Sequence, residues 1–108
     1  MPPVNIREIS IRSRVMEVLR QVIDPELGIN IVDMGLIYSV QIDEDAREIH
    51  VSLTLSTKGC PMGAAISGGV ENTLKLHFAD YSQTVSIVWE PAWSPQFISE
   101  NGQKQLER

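Results

Sequence analysis

The stretch that decides the fold is residues 36–56, LIYSVQIDEDAREIHVSLTLS. Apolar side chains occupy every second position on both sides of the polar segment DEDAR, residues 43–47. This period of two is typical of a half-buried β-strand, and a polar turn between two such segments favours a hairpin. The sequence therefore predicts two antiparallel strands, each with one apolar face: Leu36, Tyr38, Val40 and Ile42, then Ile49, Val51, Leu53 and Leu55.

A helix is predicted before this hairpin, over residues 11–23, with Ser10 as its N-cap. Asp24-Pro25 is expected to end it, because a proline disfavours helical geometry at the residue before it and has no amide hydrogen. Residues 1–9 are expected to form an irregular N-terminal arm. Residues 10–108 then make up a single domain.

A second helix is predicted after Pro61, because apolar residues follow it at a spacing of four. Gly68 and Gly69 lie inside this helix and each costs about 1 kcal/mol of helix propensity. We expect them where a neighbouring backbone approaches closely. The apolar stripe consists of Met62, Ile66, Val70, Leu74 and Phe78.

The remaining elements are a third strand and a short C-terminal helix. Val85, Ile87 and Trp89 alternate with other residues, and Ser94-Pro95 resembles an N-cap followed by a first helical residue. The order is α-β-β-α-β-(short α). We predict a compact two-layer α+β domain with a small mixed three-stranded sheet covered by helices.

Composition and charge exclude several classes of protein. The chain has 108 residues and a net charge of −5, which argues against nucleic acid as a partner. No apolar run approaches the roughly 20 residues that cross a bilayer, and the N-terminus MPPVNIREIS has no apolar signal core. We therefore expect a cytoplasmic protein with neither nucleic acid nor membrane as a partner.

Cys60 is the only cysteine in the chain and stands between Gly59 and Pro61. If the second helix begins at Pro61, Cys60 is its N-cap, where backbone amides and the helix dipole favour an anion. Together with Lys58 they would lower the pKa of the thiol below its ordinary value of about 8.5. The alternative is a small apolar residue buried beneath the loop, and sequence position leaves both interpretations open.

A lone cysteine cannot complete a metal site by itself. Zinc and iron-sulfur centres generally need four ligands, and neither His50 nor His77 has a helpful spacing. His77 is also about 24 Å along the helix from Cys60, so a cysteine–histidine catalytic pair is not expected. The residues therefore predict no stably bound cofactor and, at most, a transient cluster shared with a second copy, a partner or an exogenous thiol.

The other candidate site is the acidic loop that carries Asp24, Glu26 and Asp33. Three carboxylates could bind a cation. The favoured alternative gives each a structural place: Asp24 forms the turn before Pro25, Glu26 lies in solvent, and Asp33 accepts bonds from loop amides. Trp93, like Trp89, is expected in the core or as a lid, although an exposed Trp93 would suit a contact with a partner protein.

Three segments resemble one known family: DPELGINIVDMGLIY (24–38), LTLSTKGCPMG (53–63) and VWEPAWSP (88–95). In this order they are similar to the PaaD-like and SufT-like family of iron-sulfur cluster assembly proteins, from about Val15 to the C-terminal region. The family domain is a compact α+β unit. The positions that match its motifs are Asp24, Pro25, Glu26, Asp33, Gly35, Leu36, Cys60, Trp89, Pro91 and Trp93.

The resemblance implies a maturation factor that helps to deliver or assemble iron-sulfur clusters on client proteins, with no catalysed turnover. Its implied partners are other assembly proteins and client apoproteins, and Cys60 is its implied reactive or cluster-contacting thiol. Lys58 departs from the family pattern, which often has a small residue or proline there. The cysteine-rich extension of members that serve phenylacetate degradation is missing, which favours the general assembly role.

Two further hypotheses remain beside a functional thiolate. The chain could be a non-catalytic adaptor that recruits assembly components through the acidic loop and Trp93, with Cys60 purely structural. It could also be a thiol redox protein, which would need a resolving thiol from another molecule. A homodimer is compatible with each hypothesis and would bring two thiols into one particle.

Overall fold

A computed structural model of the chain describes residues 6–56 and 63–107. Three helices and three strands follow one another in the order predicted from the sequence. A 3-10 helix near the C-terminus is additional. The elements are α1 (Ile6–Leu19), β1 (Ile37–Asp43), β2 (Glu48–Leu53), α2 (Gly63–His77), β3 (Ser82–Ile87), the 3-10 helix Pro95–Phe97 and α3 (Glu100–Leu106).

The sheet has the strand order β1-β2-β3 and is mixed, which confirms the predicted fold class. β1 and β2 pair antiparallel through the hairpin, with an irregularity in register between Ile37 and Ser39. β2 and β3 pair in parallel, from Glu48 opposite Ser82 to Leu53 opposite Ile87. A parallel pair needs a crossover connection, and α2 supplies it.

The core lies between the sheet and the two longer helices. α1 packs against β1 and α2, while α2 packs against β3. The apolar faces predicted for the hairpin and for α2 point into this layer, because burying alternate strand residues against a helical stripe removes apolar surface from water. The apolar face predicted for the third strand is wrong in part: Val85 is half-buried, but Ile87 is 37% exposed and Trp89 lies beyond the end of β3. Core side chains include Val15, Leu19, Leu36, Val40, Ile42, Ile49, Val51, Leu53, Ile66, Val70, Leu74 and Phe78.

The first helix differs from its predicted bounds at both ends. It begins at Ile6, so Ser10 lies inside the helix rather than capping it, and residues 6–9 of the predicted arm are helical. It ends at Leu19, because the next residues pair with the returning loop: Ile31 N–H donates to the Val22 carbonyl at 2.9 Å. The amides of Arg20, Gln21 and Val22 still bond to the carbonyls three positions earlier, so the α-helix finishes in a tighter turn before the loop begins.

The two glycines inside α2 do not mark a close approach of another backbone, so that prediction is wrong. A Cβ atom added at Gly68 would have nothing within 4 Å. One added at Gly69 would lie 3.3 Å from the Cγ1 atom of Val22, a side chain rather than a backbone. Only Gly69 therefore has a packing reason to lack a side chain.

The C-terminal region contains the predicted short helix in two parts. Ser94 caps the 3-10 helix and accepts a hydrogen bond from the Gln96 amide, as expected for an N-cap before proline. Ser99 then caps α3 and accepts from the Gly102 amide. No helix within the described ranges is long and apolar enough to cross a membrane.

Candidate functional site

The carboxyl end of β2 and the start of α2 meet at a contact between Leu55 and Gly63. A Cβ atom at Gly63 would lie 2.7 Å from the Cδ1 atom of Leu55, so any larger residue would require the end of the Leu55 side chain to shift. Residues 57–62 connect these two elements and lie outside the described residues. The predicted site residues Lys58, Gly59, Cys60 and Pro61 belong to that segment, and their predicted roles stay predictions.

The amino end of α2 provides the electrostatic setting next to this segment. The helix has 15 residues, and its first turn contains no acidic residue. Its last turn contains Lys75 and His77, which suit the negative end of the helix dipole. The partial positive charge at the amino end is therefore not offset by a carboxylate of its own first turn.

A small pocket of about 90 Å³, here called the strand-end pocket, lies beside the same strand end. Its volume suits a few waters or one small side chain rather than a large ligand. It is lined by Thr54, Leu55, Ser56, Trp89, Ala92 and Trp93. The pocket thus joins the end of β2 to the third of the motifs that carry the family resemblance.

Thr54 is the unexpected member of this pocket. The sequence placed it on the hydroxyl-rich face of the second strand, yet it is fully buried. Its amide donates to the Leu36 carbonyl at 2.8 Å, but its Oγ1 atom has no hydrogen-bond partner among residues 6–56 and 63–107. A buried hydroxyl without a partner is unfavourable and rare in native structures, and the alternating pattern gave no signal for it.

Trp93 is half-buried and held from within the molecule. Its indole N–H donates to the Met34 carbonyl at 2.7 Å, which fixes the ring over the strand-end pocket. This is the core or lid position expected from the sequence. Its predicted contact with a partner protein stays a prediction, and the indole donor is already used inside the chain.

Asp33 is the centre of a buried hydrogen-bond network. Only 3% of the residue is exposed, and its carboxylate lies at the meeting point of α1, the loop and α3. The prediction of bonds from loop amides is wrong, because all four donors are side chains, one from the same loop and three from residues before and after it. The carboxylate accepts from Arg20 Nη1 (3.1 Å), Asn30 Nδ2 (2.7 Å), Ser99 Oγ (2.8 Å) and Asn101 Nδ2 (3.2 Å).

These partners determine the charge state of Asp33. Burial alone would raise the pKa of the carboxyl, but the hydrogen bonds from its four side-chain partners outweigh burial. Together they lower the pKa of Asp33 from 3.8 to about 2. Asp33 is therefore a charged structural group at neutral pH.

Within the described residues, the three carboxylates of the acidic loop are not gathered into one group. Asp24 is buried and its Oδ1 atom accepts from the Glu26 amide at 2.8 Å, which is the predicted turn-forming role. The Glu26 side chain is exposed, as predicted. Asp33 serves its own separate network, and among the described residues no group of three His, Cys, Asp or Glu could hold a metal ion.

The two histidines lie away from the strand-end pocket. His50 is near the start of β2, and its Nε2 atom lies 2.9 Å from Ser86 Oγ on the neighbouring strand β3. His77 ends α2 and is exposed. Neither lines the strand-end pocket. Their separation from Cys60 stays a prediction, because Cys60 lies outside the described residues.

A family model for iron-sulfur cluster assembly proteins matches residues 12–87. This covers the hairpin, α2 and β3, together with most of α1. The match confirms the resemblance predicted from the three motifs.

Two bacterial relatives are similar over most of their length. The Fe-S protein maturation auxiliary factor YitW of Bacillus subtilis is 40% identical over 92 residues, covering 85% of this chain and 89% of the relative. The Fe-S protein maturation auxiliary factor SufT of Staphylococcus aureus is 42% identical over 78 residues, covering 72% of this chain and 88% of the relative.

Solved structures agree with the fold. A domain of unknown function from Bacillus anthracis superposes with a TM-score of 0.89 at 31% identity, covering 94% of this chain and 96% of that one. A conserved hypothetical protein of Thermotoga maritima gives a TM-score of 0.73 at 28% identity, covering 100% and 99%. By sequence model, by relatives and by fold, this chain belongs to the iron-sulfur cluster assembly protein family.

Proposed function

We propose that this protein is an iron-sulfur maturation factor that helps to deliver or assemble clusters on client proteins through a thiolate at Cys60. The family supports the maturation role, since two relatives are named Fe-S protein maturation auxiliary factors. Its partners are then iron-sulfur assembly proteins and client apoproteins in the cytoplasm. It acts as an auxiliary factor, without catalysed turnover and without a resident cofactor.

The observation that carries the role of Cys60 is the amino end of α2. Cys60 stands three positions before Gly63 in the sequence, and Gly63 begins a 15-residue helix with no acidic residue in its first turn. Amide donors and the positive end of a helix dipole stabilise a thiolate over a thiol. The sequence adds Lys58, a further positive charge, two positions before Cys60.

The cluster is the cargo of this reaction, and one thiol supplies only one of the ligands that a cluster needs. The other ligands come from the donor, the client, an exogenous thiol or a second copy of the chain in a homodimer. Contact through a single thiolate is labile, because the chain holds the cluster by one bond and releases it when another ligand replaces Cys60. This arrangement suits handing a cluster on rather than keeping it.

The decisive experiment compares Cys60→Ser with wild type in cells that lack the endogenous protein. We expect the variant to fold normally and to lower the activity of iron-sulfur client enzymes, because serine keeps the shape but not the thiolate. Anaerobic reconstitution with iron and sulfide gives a second measurement. Charge-transfer absorbance should appear with wild type and fall with Cys60→Ser.

A matched control moves the thiol without changing the number of cysteines. Ser13 lies on the exposed side of α1, so the double variant Cys60→Ser/Ser13→Cys keeps one accessible thiol per chain. We expect this variant to behave like Cys60→Ser. Full client activity in either variant would overturn the thiolate role.

The adaptor alternative has one observation in its favour. Ile23 and Leu27 lie on the acidic loop and are 50% and 44% exposed, which leaves apolar surface for a partner beside Glu26. The rate of alkylation against pH separates the two proposals. A thiol that reacts below pH 8 supports the thiolate, while a slow or unperturbed thiol in an active protein supports the adaptor.

A further inference from the structure

A second cavity lies at the opposite end of the sheet from the strand-end pocket. It has a volume of about 420 Å³ and is here called the arginine cleft, because Arg7, Arg14 and Arg47 line it together with His77, Phe78 and Tyr81. β2 begins next to Arg47 and ends next to Thr54, and its six residues span roughly 20 Å. The arginine cleft is therefore separate from the site of the proposed function.

The charge of the arginine cleft is opposite to that of the chain. Three guanidinium groups gather here in a protein with a net charge of −5. Asp80 is the one carboxylate among the lining residues. Glu44, close by, lies 3.5 Å from Arg7 Nε and accepts from the Tyr81 hydroxyl at 2.9 Å.

Arg14 and Arg47 have no such partner. Within residues 6–56 and 63–107, neither guanidinium forms an ion pair with a carboxylate. Instead Arg14 Cζ lies 5.1 Å from the centre of the Phe78 ring, and Arg47 Cζ lies 5.4 Å from the centre of the Tyr81 ring. Among the described residues, neither of these two guanidinium groups is neutralised by an ion pair of its own, although Asp80 lines the same cavity and Arg47 also bonds to the Tyr81 side chain.

The aromatic rings hold these two guanidinium groups in place. Phe78 and Tyr81 pack edge to face, with centroids 6.2 Å apart and an interplanar angle of 85°. A guanidinium that rests on an aromatic face keeps its N–H groups free at the edge of its plane. Those edges are suited to bidentate bonds with a phosphate or carboxylate group.

Arg47 also has an unusual backbone. Its φ is 55°, in the left-handed region that glycine or asparagine adopts at lower cost. The Arg47 carbonyl accepts from the Ser82 amide at 2.8 Å, so the turn joins β2 to β3 in this conformation. Arg47 is the last residue of the hairpin turn before β2, a place where turns commonly hold a residue in this region, and the turn thus positions its side chain at the cavity.

We propose that the arginine cleft binds a small, multiply charged oxyanion, with Arg14 and Arg47 as its principal ligands. The cavity volume lies within the ordinary range for small-molecule sites. The shared chemistry is a phosphate or carboxylate group that accepts paired N–H donors. The negative charge on the rest of the chain favours a small molecule over a nucleic acid.

The test is a titration of the ¹⁵N-labelled full chain with pyrophosphate and, separately, with citrate, followed by amide chemical shifts at constant ionic strength. We expect saturable shifts at Arg47, Phe78 and Tyr81 with at least one anion. Pyrophosphate alone would assign the site to phosphates, and citrate alone would assign it to carboxylates. Absence of saturable shifts with both anions would overturn the proposal.

Arg47→Gly is the informative variant, because glycine accepts the positive φ and removes only the side chain. We expect it to melt at or above the wild-type temperature and to bind the anion at least about tenfold more weakly, since a charge-assisted bond is lost. Arg14→Gln is a second variant with the same expectation. It serves as the test if Arg47→Gly fails to fold.

Arg12→Gln is the matched control. It removes one arginine from the same helix as Arg14, but Arg12 lines a different groove beside Met16 and Ile37. We expect its affinity to stay within about twofold of wild type, because Arg12 does not line the arginine cleft and its long-range charge is screened at moderate ionic strength. Equal weakening by Arg12→Gln and Arg47→Gly would show general electrostatics and overturn the site.

Discussion

The carboxylate of Asp33 accepts a 2.8 Å hydrogen bond from the hydroxyl of Ser99, which lies 66 positions later in the chain. The Ser99 amide also donates to the Asp33 carbonyl at 2.7 Å, so the two residues are joined through both side chain and backbone. Ser99 is the N-cap of α3. One residue pair therefore fastens the C-terminal helix to the loop that precedes β1.

We predict that Asp33→Asn lowers the free energy of unfolding by about 2–3 kcal/mol, because it removes a buried acceptor of charge-assisted bonds. Urea denaturation followed by circular dichroism measures this change. Asp45→Asn, in the exposed turn after β1, is the matched control and is expected to stay within about 0.5 kcal/mol of wild type. Equal stability of the two variants would contradict the structural role of Asp33.

The same carboxylate predicts a dependence on acid pH. Its pKa is lowered in the folded state, from 3.8 to about 2, so its contribution is present above about pH 4 and is lost as pH falls through about 2. The shift corresponds to about 2 kcal/mol of stability. Between pH 5 and pH 2, the free energy of unfolding should fall less steeply with decreasing pH in Asp33→Asn than in wild type. Parallel curves would show that other groups cause the acid sensitivity.

Gly35 and Gly28 form a matched pair for testing close packing. Both have positive φ, at 77° and 71°, but a Cβ atom at Gly35 would lie 2.7 Å from Phe97 Cβ, whereas one at Gly28 would meet nothing within 4 Å. We predict that Gly28→Ala costs about 1 kcal/mol for its backbone alone. Gly35→Ala should cost several kcal/mol more, because Phe97 must move. Thermal melting of both variants decides this, and similar melting temperatures would be the contrary result.

Thr54→Val tests the unsatisfied hydroxyl of the strand-end pocket. Valine has nearly the same shape and removes an Oγ1 atom that has no partner in the part of the chain that the structure describes. We therefore predict a gain in unfolding free energy of up to about 1 kcal/mol. Thr84→Val, on the exposed side of β3, is the control and should have little effect. A clear loss of stability in Thr54→Val would show that the hydroxyl has a favourable interaction in solution.

The sheet and its helices could be predicted because their patterns are local. Apolar residues alternate with polar ones within residues 36–56 and recur every four positions after Pro61. Each pattern indicates which side of one strand or helix is buried. The start of α1 at Ile6 was missed, because Ser10 is a good cap by residue type and tertiary packing determines whether a cap is used. The presence and order of the helices and strands could be predicted, but their first and last residues could not.

The network around Asp33 could not be predicted for a different reason. Its donors Ser99 and Asn101 come from a distant part of the chain, and no local spacing connects them with the loop. The buried hydroxyl of Thr54 was hidden in the same way, since Trp89 and Trp93 line its pocket from beyond β3. When the burial or hydrogen bonding of a side chain depends on residues far away in the sequence, no local pattern of residue types predicts it.

The contact between Leu55 and Gly63 joins the residues on either side of the segment that carries Cys60. The end of β2 and the start of α2 therefore touch each other directly, through atoms that do not belong to residues 57–62. We expect the strand and the helix to keep their places when that segment is exchanged for the corresponding one of a relative. A melting temperature close to that of wild type in such a graft would support this expectation.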